Sequence, residues 1–208
     1  MICLLWGGAA LAFGTFIWIT RELGEGEIGP FDTAFMDRLA SFHTPSLISA
    51  AVDITALGSS TLVISLSALL FLLLLQLRDR LSALQVLAAS TGAGLLTFVT
   101  KNSIERVRPL ETHHLIVVSG FSYPSGHSLS TSALYLTIAM IAWRHLQPLG
   151  ARVTILLAAL MVSTMVAASR VFLEVHYATD VASGCLLGIA WALLLNGCAV
   201  LYSSRSRH

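Results

Sequence analysis

Long apolar runs alternate with short polar segments along the chain, and this pattern predicts an all-α integral-membrane protein. A helix rises about 1.5 Å per residue, so about 20 apolar residues cross a hydrocarbon core of about 30 Å. Six such runs predict a bundle of six transmembrane helices in a single domain, 1–208, and they cover residues 2–20, 47–77, 81–100, 125–143, 153–169 and 177–202. No basic residue precedes the first run, which favours a transmembrane helix over a secretory signal.

The polar segment after the first run has a helical pattern of its own. Apolar side chains recur there at helical spacing, at Phe31, Phe35, Leu39 and Phe42. This spacing predicts a short amphipathic helix that lies at the membrane interface after the first span.

Composition agrees with a membrane protein. Hydrophobic residues make up 56% of the chain and charged residues 11%, whereas a soluble domain carries about 25% charged residues. The formal net charge is only +1, so no basic patch indicates a nucleic-acid partner. The expected surroundings are membrane lipids.

Three features inside the apolar runs bear on function. Asp53 is either a functional acid within a span or an interfacial residue. Gly184 and Gly188 form a GxxxG pair, which favours close helix packing over chemistry. All three cysteines lie in apolar runs without the spacing of a disulfide framework or a metal site, at Cys3, Cys185 and Cys198.

The distribution of basic residues predicts the orientation of the bundle. Six spans put both termini on one side, and each side then carries six Lys or Arg residues. Three on one side are candidates for a site: Lys101, Arg108 and Arg170. Without them the positive-inside rule places both termini in the cytoplasm. The loops 21–46, 101–124 and 170–176 then face the other side, which is the periplasmic face of a bacterial inner membrane.

The polar stretch 169–180 lies between two apolar runs and contains Arg170, His176 and Asp180. If a helix begins near His176, Asp180 lies one turn below it on the same face. The carboxylate then accepts the proton of one imidazole nitrogen and leaves the other free to attack, while Arg170 holds an anion in front of it. The alternative is an interfacial loop with a snorkelling arginine and a helix-capping histidine.

The predicted topology brings this stretch to the same membrane face as two further polar clusters. Lys101, Arg108 and Arg170 supply positive charge for the equatorial oxygens of a phosphoryl group. The turn Ser125-Gly126-His127 opens a helix, so its backbone N–H groups are available to bind an anion. In this arrangement Ser125 adds a hydroxyl donor and Gly126 lets the backbone come close. His127 is a candidate general acid and base.

These clusters resemble, in order and spacing, the three-part signature of the type-two phosphatidic acid phosphatases. This family, also called the lipid phosphate phosphatases, is related to the vanadium haloperoxidases. The segments that carry the resemblance are Lys101-x6-Arg108-Pro109, Pro124-Ser125-Gly126-His127 and Ser169-Arg170-x5-His176-x3-Asp180. Many relatives have proline where this chain has Ala178, which affects the start of the helix and not the chemistry.

The resemblance implies a six-helix membrane bundle that removes phosphate from lipid phosphates through a phosphohistidine, without a metal or other cofactor. It implies that His176 is the nucleophile, His127 the general acid and base, and Asp180 the orienting acid. It implies five phosphate ligands: Lys101, Arg108, Ser125, Gly126 and Arg170. The implied partner is a lipid phosphate substrate.

Three alternatives remain open at this point. A metal hydrolase would use histidines of the same face, and its ligands would come from His113, His114, His127, His176 and Asp180. Three cations around a dication argue against it. A lipid transporter would need a polar path through the spans, which show little beyond small hydroxyls and Gln85. A phosphotransferase would pass the phosphate from the histidine to another lipid.

The physiological lipid is not determined by these residues. The candidates are undecaprenyl pyrophosphate, phosphatidylglycerol phosphate, phosphatidic acid and lipid A phosphates. Several polar residues flank the site and either read the headgroup or form a solvated loop: Glu105, Arg106, Glu111, His113 and His114.

Overall fold

The computed structural model describes residues 2–110 and 114–205, and this part of the chain is helical without any strand. Its helices are α1 (Ile2–Glu25), α2 (Gly29–Ala40), α3 (Pro45–Ala56), α4 (Ser60–Gln76), α5 (Arg80–Ile104), α6 (Gly126–His145), α7 (Leu149–Phe172) and α8 (Ala178–Arg205). Five segments within the described residues are long and apolar enough to cross a membrane: α1, Pro45–Gln76, α5, α7 and α8. The predicted all-helical membrane architecture is confirmed, whereas the count of six spans is not.

Helix α6 is the predicted span that is missing from this set, and its position explains why. It is rich in small hydroxyl side chains, and Ser128, Thr131 and Thr137 are fully buried. A helix surrounded by other helices does not face lipid, so it does not need the hydropathy of a lipid-facing span.

Helix α8 packs against α6 through the predicted glycine pair. A Cβ atom at Gly184 would lie 2.5 Å from the Ser125 carbonyl oxygen, and one at Gly188 would lie 2.5 Å from the Leu129 carbonyl oxygen. Only glycine permits backbones to approach this closely. The prediction that this pair serves helix packing is confirmed.

The second predicted span, 47–77, is broken into α3 and α4 by a turn at 57–59. Ser59 caps α4, since its hydroxyl accepts a hydrogen bond from the Leu62 N–H at 3.3 Å. A Cβ atom at Gly58 would lie 2.5 Å from Val166 Cγ1 and 3.2 Å from His127 Cδ2. The break therefore brings main chain against α6 and α7, which a continuous helix with side chains would not allow.

A short helix, α2, follows the first span, as predicted. Phe31 and Phe35 of α2 are exposed, whereas Asp32 and Met36 are buried against the bundle. Exposed aromatic side chains suit a membrane interface. The buried acid on the opposite face was not anticipated.

Candidate active site

A cavity of about 560 Å³ lies where the break between α3 and α4 meets α5, α6 and α7. Six of the predicted site residues line it: Lys101, Arg108, Gly126, His127, Arg170 and His176. Residues of all three signature segments thus converge on one space. Asp180 and Ser125 lie behind its wall, fully buried.

His176 lies in the tight loop that joins α7 to α8, and the loop is anchored on both sides. Leu173 and Val175 are fully buried, and the Val175 N–H donates to the Arg170 carbonyl at 3.3 Å. A second contact joins the Leu115 N–H to the Leu173 carbonyl at 3.2 Å. The imidazole is only 2% exposed, so its orientation is set by the protein.

The partners of the two ring nitrogens define the tautomer of neutral His176. Nδ1 lies 3.4 Å from both Asp180 Oδ2 and Ser122 Oγ, and each of these oxygens can accept a hydrogen bond. Nε2 lies 3.3 Å from Arg108 Nη1, which can only donate. The proton therefore belongs on Nδ1. The lone pair on Nε2 faces the cavity.

Burial keeps this imidazole neutral. It lowers the pKa of His176 from 6.5 to about 4; the Asp180 carboxylate opposes the shift, and the positive charges of Arg108 and Arg170 add to it. Burial likewise lowers the pKa of Arg108, against the pull of Asp180. Arg108 still carries its charge at neutral pH because the arginine pKa starts so high. A neutral imidazole beside a charged guanidinium suits attack on an anion.

The Asp180 carboxylate is completely engaged. Its Oδ2 accepts hydrogen bonds from the Ser122 hydroxyl and from the Tyr177 N–H, the latter at 2.9 Å, besides facing His176. Its Oδ1 accepts from Arg106 Nη1 at 2.5 Å. A carboxylate held on this many sides cannot rotate, so it fixes the imidazole plane.

The three predicted cations are held by acceptors in the wall. Lys101 donates to the Phe121 carbonyl. Arg108 donates to the Val175 carbonyl at 2.6 Å and also to Ser119 and Gly120. Arg170 donates to Thr55 Oγ1 at 2.9 Å, while its buried Nε–H has no partner among the described residues. An unpartnered guanidinium donor beside the cavity is what an anionic ligand would satisfy.

The turn 125–127 starts α6, as predicted, and its three residues take different places. Ser125 caps the helix, since its Oγ accepts from the Ser128 N–H and from the Ser128 hydroxyl at 3.0 Å. Its backbone N–H donates to the Asp180 carbonyl at 2.9 Å. Gly126 and His127 line the cavity. Ser125 thus shapes the turn, and its role as a phosphate ligand stays a prediction.

The interpretation of Arg106 as a solvated loop residue is wrong, and the residues that line the cavity do not include it, so a role in reading the headgroup stays untested. Its side chain is only 12% exposed and bridges the carboxylates of Asp32 and Asp180. Burial opposes the charge, but Asp180 and Asp32 outweigh it and raise the pKa of Arg106. The one signal in the sequence was its position two residues before Arg108, in a segment expected at the site.

The other polar residues considered around the site do not line the cavity or cannot be placed. His114 contacts the Pro109 carbonyl at 2.9 Å, and Glu105 is exposed where it ends α5. Asp53 is exposed on α3. Glu111 and His113 lie outside the described residues. Within the described ranges, no three His, Cys, Asp or Glu side chains form a group that could hold a metal ion.

Known proteins are similar to this chain over most of its length. The family model of the PAP2 superfamily matches residues 82–201. Phosphatidylglycerophosphatase B of Bacillus subtilis (strain 168) is 30% identical over 183 residues, which are 88% of this chain and 90% of that protein. The crystal structure of a transmembrane PAP2-type phosphatidylglycerolphosphate phosphatase from Bacillus subtilis superposes with a TM-score of 0.86 at 28% identity, covering 95% of this chain and 96% of that one.

Proposed function

Because the chain belongs to the PAP2 superfamily, we propose that it is a membrane phosphatase in which His176 attacks the phosphorus of a lipid phosphate. The observation that carries the proposal is the placement of His176, with its Nε2 lone pair beside Arg108, in a cavity that also holds His127, Lys101 and Arg170. This set contains a nucleophile, an acid and charge compensation for a phosphoryl group.

The first half of the reaction transfers the phosphoryl group to the enzyme. The Nε2 lone pair of His176 forms a bond to phosphorus, and the bond between phosphorus and the lipid oxygen breaks. The leaving oxygen takes a proton from the imidazolium form of His127, which becomes neutral. Positive charge at Lys101, Arg108 and Arg170 compensates the negative charge of the equatorial oxygens.

The second half returns the enzyme to its starting state. A water molecule attacks phosphorus, and His127 accepts its proton. The bond between phosphorus and Nε2 breaks, and inorganic phosphate leaves. Asp180 stabilises the positive ring of the phosphohistidine in both halves through the proton on Nδ1.

Phosphatidylglycerol phosphate is the proposed substrate among the lipid phosphates. Both Bacillus subtilis relatives are named for this activity, and the similarity to each extends over nearly the whole chain. Undecaprenyl pyrophosphate and phosphatidic acid are the competing candidates, because each presents a terminal phosphate on a lipid.

The proposed topology has six spans, with α6 as the central one. Its 20 residues give a length of about 30 Å, enough to cross the hydrocarbon core. Six spans and the positive-inside rule place both termini in the cytoplasm. The active site then opens on the periplasmic face of a bacterial inner membrane.

Phosphate release by purified, detergent-solubilised protein tests the proposal, with EDTA present. The panel contains phosphatidylglycerol phosphate, undecaprenyl pyrophosphate and phosphatidic acid. We expect fastest release from phosphatidylglycerol phosphate, loss of release in His176→Gln, and rates within twofold of wild type in His145→Gln, a control at the opposite end of α6.

Each other outcome identifies a different activity. Release only after a metal ion is added would indicate a metal hydrolase. Transfer of the phosphate to a second lipid without free phosphate would indicate a phosphotransferase. No chemistry under either condition would indicate a transporter or binding protein, and full activity in His176→Gln would refute the proposed nucleophile.

A further inference from the structure

A buried acid outside the signature segments is connected to the site. Asp32 lies on the short helix α2 and is 0% exposed. Its Oδ1 accepts from the Thr179 N–H at 3.1 Å. Its Oδ2 accepts from the Thr179 hydroxyl and from Arg106 Nη2, the latter at 2.7 Å. A buried carboxylate with this many hydrogen-bond donors is an integral part of the folded structure and not a solvated residue of an interfacial helix.

Arg106 joins this acid to the acid behind the nucleophile. One end of its guanidinium contacts Asp32, and the other donates to Asp180 Oδ1 at 2.5 Å and to Thr179 Oγ1 at 2.9 Å. The guanidinium also lies over the Tyr177 ring, 4.1 Å from its centroid. Planar donors shared between two carboxylates hold both in fixed positions.

The three charges have a consequence for His176. Asp180 turns Oδ1 toward Arg106 and Oδ2 toward His176 Nδ1. The single guanidinium of Arg106 is shared between the carboxylates of Asp32 and Asp180. Without the negative charge of Asp32, Arg106 would pair with Asp180 alone. Arg106 would then pull the Asp180 carboxylate away from the imidazole and weaken its hydrogen bond to Nδ1.

We propose that Asp32 is a positioning residue of the reaction, which holds Arg106 and, through it, the Asp180 carboxylate that orients His176. The proposal rests on the proposed function, since it concerns the histidine that attacks phosphorus. It also gives α2 a role, because the helix that lies outside the bundle's main spans supplies the outermost member of the chain of contacts.

A merely structural role for Asp32 predicts different behaviour. Asp32 would then only tether α2 to α8, a task that the buried Met36 also serves by packing against α7 and α8. Loss of such a tether would lower the amount or stability of folded protein. It would leave the reactivity of His176 in the surviving folded protein unchanged.

The test compares Asp32→Asn with Asp37→Asn, which removes the same charge from the exposed face of the same helix. Asparagine keeps an acceptor for the Thr179 N–H and removes the ion pair with Arg106. We expect kcat of Asp32→Asn to fall about 10- to 100-fold with KM within about twofold, since loss of an outer-shell partner acts on orientation. Asp37→Asn is expected to match the wild type. Arg106→Gln combined with Asp32→Asn is expected to be no slower than Arg106→Gln alone, because both act through one chain of contacts.

A second measurement reads His176 without any substrate. Diethyl pyrocarbonate modifies neutral imidazoles, and mass spectrometry of peptides follows the rate at His176 as a function of pH. Removing a nearby negative charge disfavours the protonated ring, so Asp32→Asn is expected to shift the midpoint to lower pH and to change the plateau rate. The charged and titratable groups that face His176 are Asp180 of α8, Arg170 of α7, His127 of α6, Lys101 of α5 and Arg108 of the loop, with Arg106 behind Asp180.

The outcomes separate this proposal from the proposed function. A kcat of Asp32→Asn within twofold of the control would overturn it. So would a loss of activity that follows the loss of folded protein while the modification rate at His176 stays that of the wild type. If the wild type itself releases no phosphate, the proposed function fails, and the modification measurement alone decides: an unchanged profile in Asp32→Asn overturns the positioning role.

Discussion

Replacing Asp180 with asparagine is the most informative single change in the site. The carboxylate accepts from Arg106, from the Ser122 hydroxyl and from the Tyr177 N–H, and it faces His176 Nδ1. An asparagine has one acceptor and one donor end. Whichever way the amide is turned, its NH₂ group meets a side that is already occupied by donors.

Two magnitudes known from other proteins set the scale of this change. Breaking a buried ion pair costs about 3–5 kcal/mol in the free energy of unfolding when the other charge is left unpaired. The cost should be smaller here, because Arg106 keeps its ion pair with Asp32. The imidazole also loses the acceptor that holds the proton on Nδ1. An aspartate-to-asparagine change at the orienting carboxylate of a serine-protease triad lowers kcat by about 10⁴-fold. We expect a loss of about 10³- to 10⁴-fold here, well beyond what partial unfolding explains.

The assay measures phosphate release per folded molecule, with folding followed by thermal unfolding and size-exclusion chromatography of the same sample. Asp53→Asn is the matched control, since Asp53 is exposed on α3 and outside the cavity. We expect it to keep its rate within twofold. If folded Asp180→Asn retains more than a tenth of the wild-type kcat, the argued role of the carboxylate is wrong.

Four further predictions concern the site and the helix packing. Burial lowers the pKa of His176 to about 4, and the nucleophile must be neutral. We therefore expect kcat/KM to fall as the pH drops through about 4, whereas an exposed histidine would give a fall near pH 6.5. The pH dependence of kcat/KM checks this. The unfolded chain binds this proton near pH 6.5, so the free energy of unfolding should also decrease between pH 6.5 and 4, as denaturation at several pH values would show. His127→Ala should lower the hydrolysis rate of lipid phosphates, which have poor leaving groups, more than that of activated aryl phosphates. Equal losses of rate on both substrates would contradict the role of His127 as an acid. Gly184→Val should reduce the thermal stability strongly, because its Cβ would lie 2.5 Å from the Ser125 carbonyl oxygen.

Much of the fold and site could be predicted because both follow from local sequence. An apolar run long enough to cross the membrane is recognisable from hydropathy alone. A cation such as Arg170 between two such runs indicates a functional site, because a charge is costly at that position. Each of the three signature segments also folds locally, as the turn that begins α6 at Gly126 illustrates. The relative positions of residues within one such segment are therefore set by its local backbone conformation.

The parts that could not be predicted depend on contacts between distant residues. Asp32 meets Arg106 and Thr179 across 74 and 147 residues of sequence, and nothing in the neighbourhood of Asp32 distinguishes it from the exposed Asp37. The helix breaks at Gly58 because a side chain there would collide with Val166 and His127. These contacts cannot be predicted from the apolar run itself.

The position of the cavity along α5 determines how the enzyme's kinetics must be described. Its lining extends from Lys101 back to Gly94, seven residues or about 10 Å up the helix, and the α5 residues Gly94 and Phe98 are exposed at its rim. The cavity therefore opens beside apolar helix surface, and we expect a lipid substrate to reach it by diffusion in two dimensions. The saturation of the enzyme should therefore depend on the mole fraction of substrate in the micelle or bilayer. Adding detergent at a fixed amount of lipid should slow the reaction, although the bulk concentrations of enzyme and substrate stay the same.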